Sequence, residues 1–199
     1  MDRRRFLGTG LAPLAFALPA AAASEAPRRV SLAARRGMFP NVPLIAHDGR
    51  RVKFYDDLVQ GDRIVLIHFF LLRCRDGLCP ISIYNLTKAQ QLLGDRVGRD
   101  IFFYSITLSP ETDRPDLMRT YAQVFGINPG WLLLTGAPQD IELLRRALGY
   151  VDTDPERDKD KANHINVARY GDDALERWAA VSTQSSPENI ATALKFLKV

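Results

Sequence analysis

Residues 62–72, DRIVLIHFFLL, are a continuous β-branched and aromatic run of strand length. An apolar run with no polar alternation suits a strand covered on both faces. His68 lies inside it and reads as a core histidine with its hydrogen bonds satisfied. The segment that follows, LLRCRDGLCPISIYN over 71–85, holds the only two cysteines of the chain, Cys74 and Cys79, with four residues between them. Pro80 then opens PISIYNLTKAQQLLGD, where Ile81, Tyr84, Leu86, Leu92 and Leu93 recur at roughly helical spacing. Proline is favourable at the first helical position because its missing N–H would have no helical partner there. The pattern predicts that Cys79 sits at a helix N-cap, at the end of a central strand.

That position has chemical meaning. Backbone N–H groups at a helix start stabilise an anion, which favours the thiolate form of a cysteine placed there. Cys79 is therefore a candidate nucleophile or metal ligand. A disulfide with Cys74 requires the two Cα atoms to come within about 7 Å. Asp76-Gly77 is a turn signal at the place where the chain must fold back. Two unrelated cysteines, one of them simply packed, is the remaining reading.

The 199 residues are 46% hydrophobic and 25% charged, enough for one globular domain with a real core. They begin with an Arg cluster, an apolar stretch from Phe6 to Leu18 and small residues ending near Ala23, the order of a secretory leader. Arg3 and Arg4, followed by Arg5, Phe6 and Leu7, resemble the twin-arginine export pattern. Gly8, Gly10, Pro13 and Pro19 break the apolar stretch, so residues 1–23 read as a cleaved signal rather than a membrane span. The cleavage region has no cysteine, so a lipoprotein anchor is not expected. The expected compartment is the bacterial periplasm, where a disulfide persists. The net charge of +4 falls to +2 without the leader, too little to argue nucleic-acid binding.

Residues 24–39 read as a flexible, basic lead-in, and 40–199 as the folded domain. Apolar residues alternate on both sides of Asp48-Gly49, a hairpin signal, with His47 a solvated turn residue. A second buried strand is expected over Ile101–Leu108. A helix starts at Asp113–Pro115 with Leu117, Met118, Tyr121 and Phe125 as its apolar stripe, ended by Gly126. WLLLTG is a short strand, and the helix after it turns Ile141, Leu144 and Leu148 inward. HINVARYGDDALERWAAV reads as a hairpin turned at Gly171-Asp172-Asp173. The last helix opens with a cap at Ser186 and buries Ile190, Leu194 and Leu197. The acidic stretch DTDPERDKD lacks the glycine and glutamate of a calcium loop and reads as a solvated excursion. This order is that of an α/β thioredoxin-like sandwich, a central mixed sheet flanked by helices with an N-terminal hairpin.

Four stretches give a resemblance to the SCO/SenC family of thioredoxin-fold copper chaperones over roughly residues 40–199. They are HDGRRVKFYDDL, the strand–cysteine–CP–helix unit, ITLSPETDRPDLMRTYAQVFG, and LLLTG followed later by a histidine. Family members usually show Asp-Pro-x-x-Asp-Thr-Pro where this chain has Ser109 to Pro115, so Ser109 and Arg114 are departures. The resemblance implies copper binding by Cys74, Cys79 and His164, the histidine of ANHINVARY. The family's cysteines have three residues between them, whereas Cys74 and Cys79 have four.

The donor set agrees with that implication, because Cu(I) prefers thiolates, and two of them with one imidazole make an S₂N site that also suits Cu(II). Structural zinc wants four protein ligands, and no fourth is visible. The resulting expectation is a periplasmic copper chaperone that loads a respiratory oxidase. Its partners would be an apo-oxidase copper-site subunit or another copper chaperone, with no nucleic acid, and with a membrane met only through the substrate or an uncleaved leader. The alternative makes Cys74 and Cys79 a catalytic redox pair, in a thiol–disulfide oxidoreductase acting on cysteines of a copper-site apoprotein. A thiol peroxidase ranks below both, since no threonine stands two or three residues before Cys79.

Overall fold

The structure, a computed structural model, describes residues 31–73, 78–161 and 166–198. The export-signal expectation, Cys74 and His164 all fall outside those residues.

Seven strands form one mixed sheet: β1 (Pro43–Ala46), β2 (Arg51–Lys53), β3 (Ile64–Phe70), β4 (Ile101–Thr107), β5 (Trp131–Gly136), β6 (Val167–Asp172) and β7 (Arg177–Ser182). Their spatial order is β2-β1-β5-β4-β3-β6-β7. β3, β4 and β5 run parallel, and the β1–β2 and β6–β7 hairpins flank them antiparallel. All seven residues of β3 are buried, as its unbroken apolar run requires. Alternate residues serve opposite faces: Val65, Ile67 and Phe69 in one core cluster, Ile64, Leu66 and Phe70 in the other.

The helices are α1 (Leu32–Met38), α2 (Leu78–Leu93), α3 (Pro115–Phe125), α4 (Pro138–Ala147), α5 (Pro155–Asp158) and α6 (Pro187–Lys195). α2, α3 and α6 contribute Ile83, Leu86, Met118, Ala122, Ile190 and Leu194 to one core. The other core takes Ile141 and Leu144 from α4 and Phe54, Tyr55, Leu58 and Val59 from a π-helical turn after β2. Proline opens α3, α4, α5 and α6 in the first turn, where no N–H is missed. Ser186 caps α6 by accepting from the Asn189 N–H at 3.3 Å. None of the described helices is long and apolar enough to cross a membrane.

Several expectations need correction. The lead-in over 24–39 is not a tether in its described part. Ser31 caps α1, and the Arg35 guanidinium pairs with Asp173 at 3.2 Å and also with Glu176. Phe39 is buried, its ring 4.4 Å from that of Trp178. The Arg35 ion pairs and the buried Phe39 ring just past the helix dock it on the last hairpin.

The last hairpin turns at Asp173–Glu176, not at Gly171. Gly171 is a strand residue opposite Trp178, and a Cβ there would lie 2.4 Å from the indole ring. That glycine serves close packing; the turn is made by the Asp172 carboxylate, which accepts from the Leu175 N–H at 3.0 Å. In α3 Met118 and Ala122 are buried and Tyr121 and Phe125 pack against the same core, so of the expected stripe only Leu117, 41% exposed, lies outside it. The acidic stretch is not merely solvated. Asp158 is ion-paired to the buried Arg145 at 2.7 Å, and the α5 turn is capped by Asp154.

Candidate metal-binding site at the carboxyl end of β3

α2 begins at Leu78, one residue before the cysteine, so Cys79 sits inside the first helical turn rather than at the N-cap. Pro80 follows within the same turn, where backbone N–H groups still lack helical acceptors and proline costs nothing. The chemical consequence survives the shift, because the first turn is still the positive end of the helix. Cys79 is 2% exposed and belongs to the core cluster that holds Phe69 and Tyr150. Burial and the helix dipole act in opposite senses on a thiolate placed there.

β6 pairs antiparallel with β3, His68 standing opposite Ala168, so the start of β6 lies beside the end of β3. His164 precedes Val167 by three residues, and Cys74 follows Phe70 by four. The two chain segments that carry them therefore join the sheet from adjacent strands at one end, the end at which Cys79 is placed. Among the described residues no three His, Cys, Asp or Glu side chains form a metal cluster.

Two side chains missed in the sequence hold this end together. Asp113 is 3% exposed, and its carboxylate accepts from Thr107 Oγ1 at 2.6 Å, Thr112 Oγ1 at 3.0 Å and the Leu72 N–H at 3.3 Å. It thereby ties the exit of β3, two residues before Cys74, to the turn after β4. The departure at Ser109 costs no bond there, because Ser109 acts through its backbone: its N–H donates to Thr107 Oγ1 and its carbonyl accepts from the N–H groups of Thr112 and Asp113. Arg114 leaves α3 without a side-chain cap and pairs with Asp116 at the surface instead.

Tyr150 is the second. Its hydroxyl lies 3.1 Å from the Ile67 carbonyl and 3.2 Å from the Val167 carbonyl, and accepts from the Arg169 N–H at 3.2 Å. Its ring packs edge-on against Phe69, centroids 4.7 Å apart. Burial raises its phenol well above the ordinary range, so it stays a neutral donor. The signal for this role was only an aromatic residue after the glycine that ends α4.

The other two histidines are elsewhere. His47 is half-buried; its N–H donates to the Leu133 carbonyl at 2.8 Å, and its Nδ1 accepts from the Leu133 N–H at 3.2 Å. The pairing of β1 with β5 continues past Ala46 and presses the ring onto the sheet, which corrects the expectation of a solvated turn residue. Burial lowers its pKa. His68 meets Ser105 Oγ at 3.1 Å through Nδ1, and Trp131 Nε1 donates to the same hydroxyl at 2.7 Å. Among the described residues its buried Nε2 has no hydrogen-bond partner, so the core histidine is only half satisfied there.

The SCO1/SenC family model matches residues 40–197. The sco1 protein of Schizosaccharomyces pombe is 30% identical over 157 residues, which are 76% of this chain and 57% of that protein. The chain thus spans little more than half the length of that relative. Bradyrhizobium japonicum ScoI, whose structure has copper bound, superposes with a TM-score of 0.61 at 25% identity, covering 78% of this chain and 96% of that one. A SCO1/SenC family lipoprotein from Bacillus anthracis gives a TM-score of 0.64 at 22% identity, covering 79% and 93%, a likeness of fold. With its mixed sheet, its cysteine at the helix that follows β3 and a family match over nearly the whole described domain, the chain belongs to the SCO1/SenC family.

Proposed function

We propose that this chain is an exported, periplasmic copper chaperone. Copper is its cargo, held by the thiolates of Cys74 and Cys79 and the imidazole of His164, and passed to a copper-site subunit of a respiratory oxidase or to another chaperone. The observation that carries the reading is the position of Cys79, in the first turn of α2 and in the core cluster that holds Phe69 at the end of β3, the strand that pairs with β6, whose first residue His164 precedes by three. Two soft sulfur donors and one imidazole fit Cu(I), and the same three accommodate Cu(II). The copper-bound structure of the 25% identical ScoI supports the same cargo. Thiol–disulfide exchange with an oxidised partner, whose own disulfide is reduced to two thiols as the Cys74–Cys79 disulfide forms, would release the metal, since a disulfide sulfur is not a thiolate ligand.

The test is a Cu(I) titration of the reduced protein from residue 24 onward against a competing chelator, with His164→Ala in parallel. Tight one-to-one binding is expected, weakened at least about tenfold in the variant, while thiol–disulfide exchange is retained. No tight binding would mean that the four residues between the cysteines have broken the site.

The second reading, a thiol–disulfide oxidoreductase, is favoured by the helix-start position of Cys79. At 2% exposure Cys79 cannot meet a bulky substrate disulfide directly. Under that reading Cys74 attacks and Cys79 resolves, and His164→Ala leaves turnover unchanged.

A further inference from the structure

The helices that leave β4 and β5 lie on opposite faces of the sheet. α3, after β4, packs in the core cluster with Ile83 and Ile190, whereas α4, after β5, packs in the other with Phe54 and Leu58. Neighbouring parallel strands whose helices part in this way leave a crevice outside their carboxyl ends, the usual place for a ligand in an open α/β sheet. Here the crevice is a groove walled by Pro43, Ile45, Pro110 and Pro115. It opens beyond β4 and β5, whereas Cys79 follows β3.

Thr135 lines the bottom of this groove at 5% exposure, and its Oγ1 has no hydrogen-bond partner among the described residues. Its neighbour in the continued register of β4, Thr107, gives its hydroxyl hydrogen to Asp113. A buried hydroxyl left unpaired costs the fold its desolvation, so the Thr135 hydroxyl is a donor held ready for something else. The side chain belongs to the face that α3 covers, as do Trp131 and Leu133 at alternate positions of the same strand. Thr135 stands opposite Ile45, and Ile45 opposite Arg51, so the three form one cross-strand row on that face. Arg51 is two strand spacings from Thr135, about 10 Å, a gap that its side chain and one bound carboxylate can close between them.

α4 begins at the same groove, with no side-chain hydrogen bond at its N-cap, Ala137. The Asp140 and Ile141 N–H groups both donate to the Ala137 carbonyl, and Pro138 has no N–H. The Gln139 N–H is therefore the donor left over at the positive end of this helix. Asp140 is the one carboxylate among the described lining residues, and Arg114, also at the rim, is already paired with Asp116 at 3.2 Å. Arg51 has no ion pair among the described residues. That balance suits one negative charge better than a dianion such as phosphate. We propose that the groove binds a carboxylate carried on an apolar body, with the Thr135 hydroxyl, the first turn of α4 and the Arg51 guanidinium as its polar partners and the prolines as its walls. The carboxylate belongs either to a free organic acid or to an acidic side chain of a polypeptide. The proposal goes beyond the copper reading and stands without it.

The experiment is an amide NMR titration of the protein at constant ionic strength with four probes: phenylacetate, its neutral analogue 2-phenylethanol, inorganic phosphate, and the tripeptide acetyl-Leu-Glu-Leu-amide. Wild type, Thr135→Val and Arg51→Gln are compared, and urea unfolding is measured for each. Saturable shifts at Gly136 and Gln139 are expected with phenylacetate, with a dissociation constant on the order of 10 mM. Thr135→Val should bind it at least about fivefold more weakly and Arg51→Gln about twofold more weakly. Thr135→Val should unfold at the same urea concentration as wild type or a higher one, because it removes a buried polar group that the fold does not satisfy. Tighter binding of the tripeptide than of phenylacetate assigns the groove to a polypeptide side chain, and the reverse order to a free acid; either supports the site. Phenylacetate binding that Thr135→Val leaves unchanged overturns the proposal. So does 2-phenylethanol binding as well as phenylacetate, phosphate binding more tightly than either carboxylate, or the absence of saturable shifts at Gly136 and Gln139.

Discussion

Replacing Asp113 with alanine is expected to cost about 3 kcal/mol of stability and to loosen the cysteine segment. The carboxylate is 3% exposed and accepts three hydrogen bonds. Its removal strands the Leu72 N–H and leaves the Thr107 hydroxyl hydrogen without an acceptor, and a buried donor left unpaired costs about 1–3 kcal/mol. Asp113→Asn keeps the shape but sets an amide N–H against a hydroxyl donor, so it recovers only part of the loss. Urea unfolding of the three proteins measures this. A cost below about 1 kcal/mol for the alanine variant would show that the β3 exit is held by something other than Asp113. The same variant is expected to bind Cu(I) more weakly, because Leu72 fixes where the segment carrying Cys74 leaves the sheet.

The second large effect is on acid stability and comes from His68. Burial of the imidazole lowers its pKa to about 3 from the ordinary 6.5. The unfolded chain therefore takes up a proton as pH falls below 6.5, whereas the folded protein does so only near 3. More protons on the unfolded side means that stability falls with falling pH across that window, by about 1.4 kcal/mol per pH unit. From this group alone the loss approaches about 3 kcal/mol at pH 4. His68→Asn keeps a polar group within reach of Ser105 and removes the titration. Carboxylates such as Asp158, held low by Arg145, weaken the fold at still lower pH, but they do so equally in both proteins and cancel in the difference. Urea unfolding between pH 7 and pH 4 should show wild type losing about 3 kcal/mol more than the variant. Parallel curves would mean that His68 is protonated in the fold.

The central architecture was legible because burial writes itself into the chain. β3 and β4 are unbroken apolar runs, Gly126 marks the end of α3 with a left-handed φ of 65°, and Ser186 caps α6. What was not legible depends on contacts between distant residues. Gly171 looks like a turn signal until Trp178 is seen lying against it, since glycine serves turns and close packing alike. α1 is only seven residues long, and its anchors, Asp173, Glu176 and Trp178, are more than a hundred residues away.

The candidate site divides in the same way. Cys79 was identified from its local pattern, a strand followed by Cys-Pro, although the helix is already formed at Leu78, two residues before the expected Pro80. Asp113 was seen as part of a helix start but not as a ligand for the Leu72 N–H, 41 residues earlier. Arg145 and Asp158 are 13 residues apart and carry no shared periodicity, so the joint between them appears only when α5 folds back on α4. Cys74 was singled out as the other cysteine after the strand, with Asp76-Gly77 as the turn signal between the two, whereas the assignment of His164 came from family resemblance.

The coordination of copper tests the central claim most directly. X-ray absorption on the Cu(I)-loaded protein from residue 24 onward should show two sulfur scatterers and one imidazole nitrogen around the metal. The nitrogen contribution should disappear in His164→Ala. Spectra that are identical in wild type and variant, or that lack either the second sulfur or the imidazole, would contradict a site built from Cys74, Cys79 and His164.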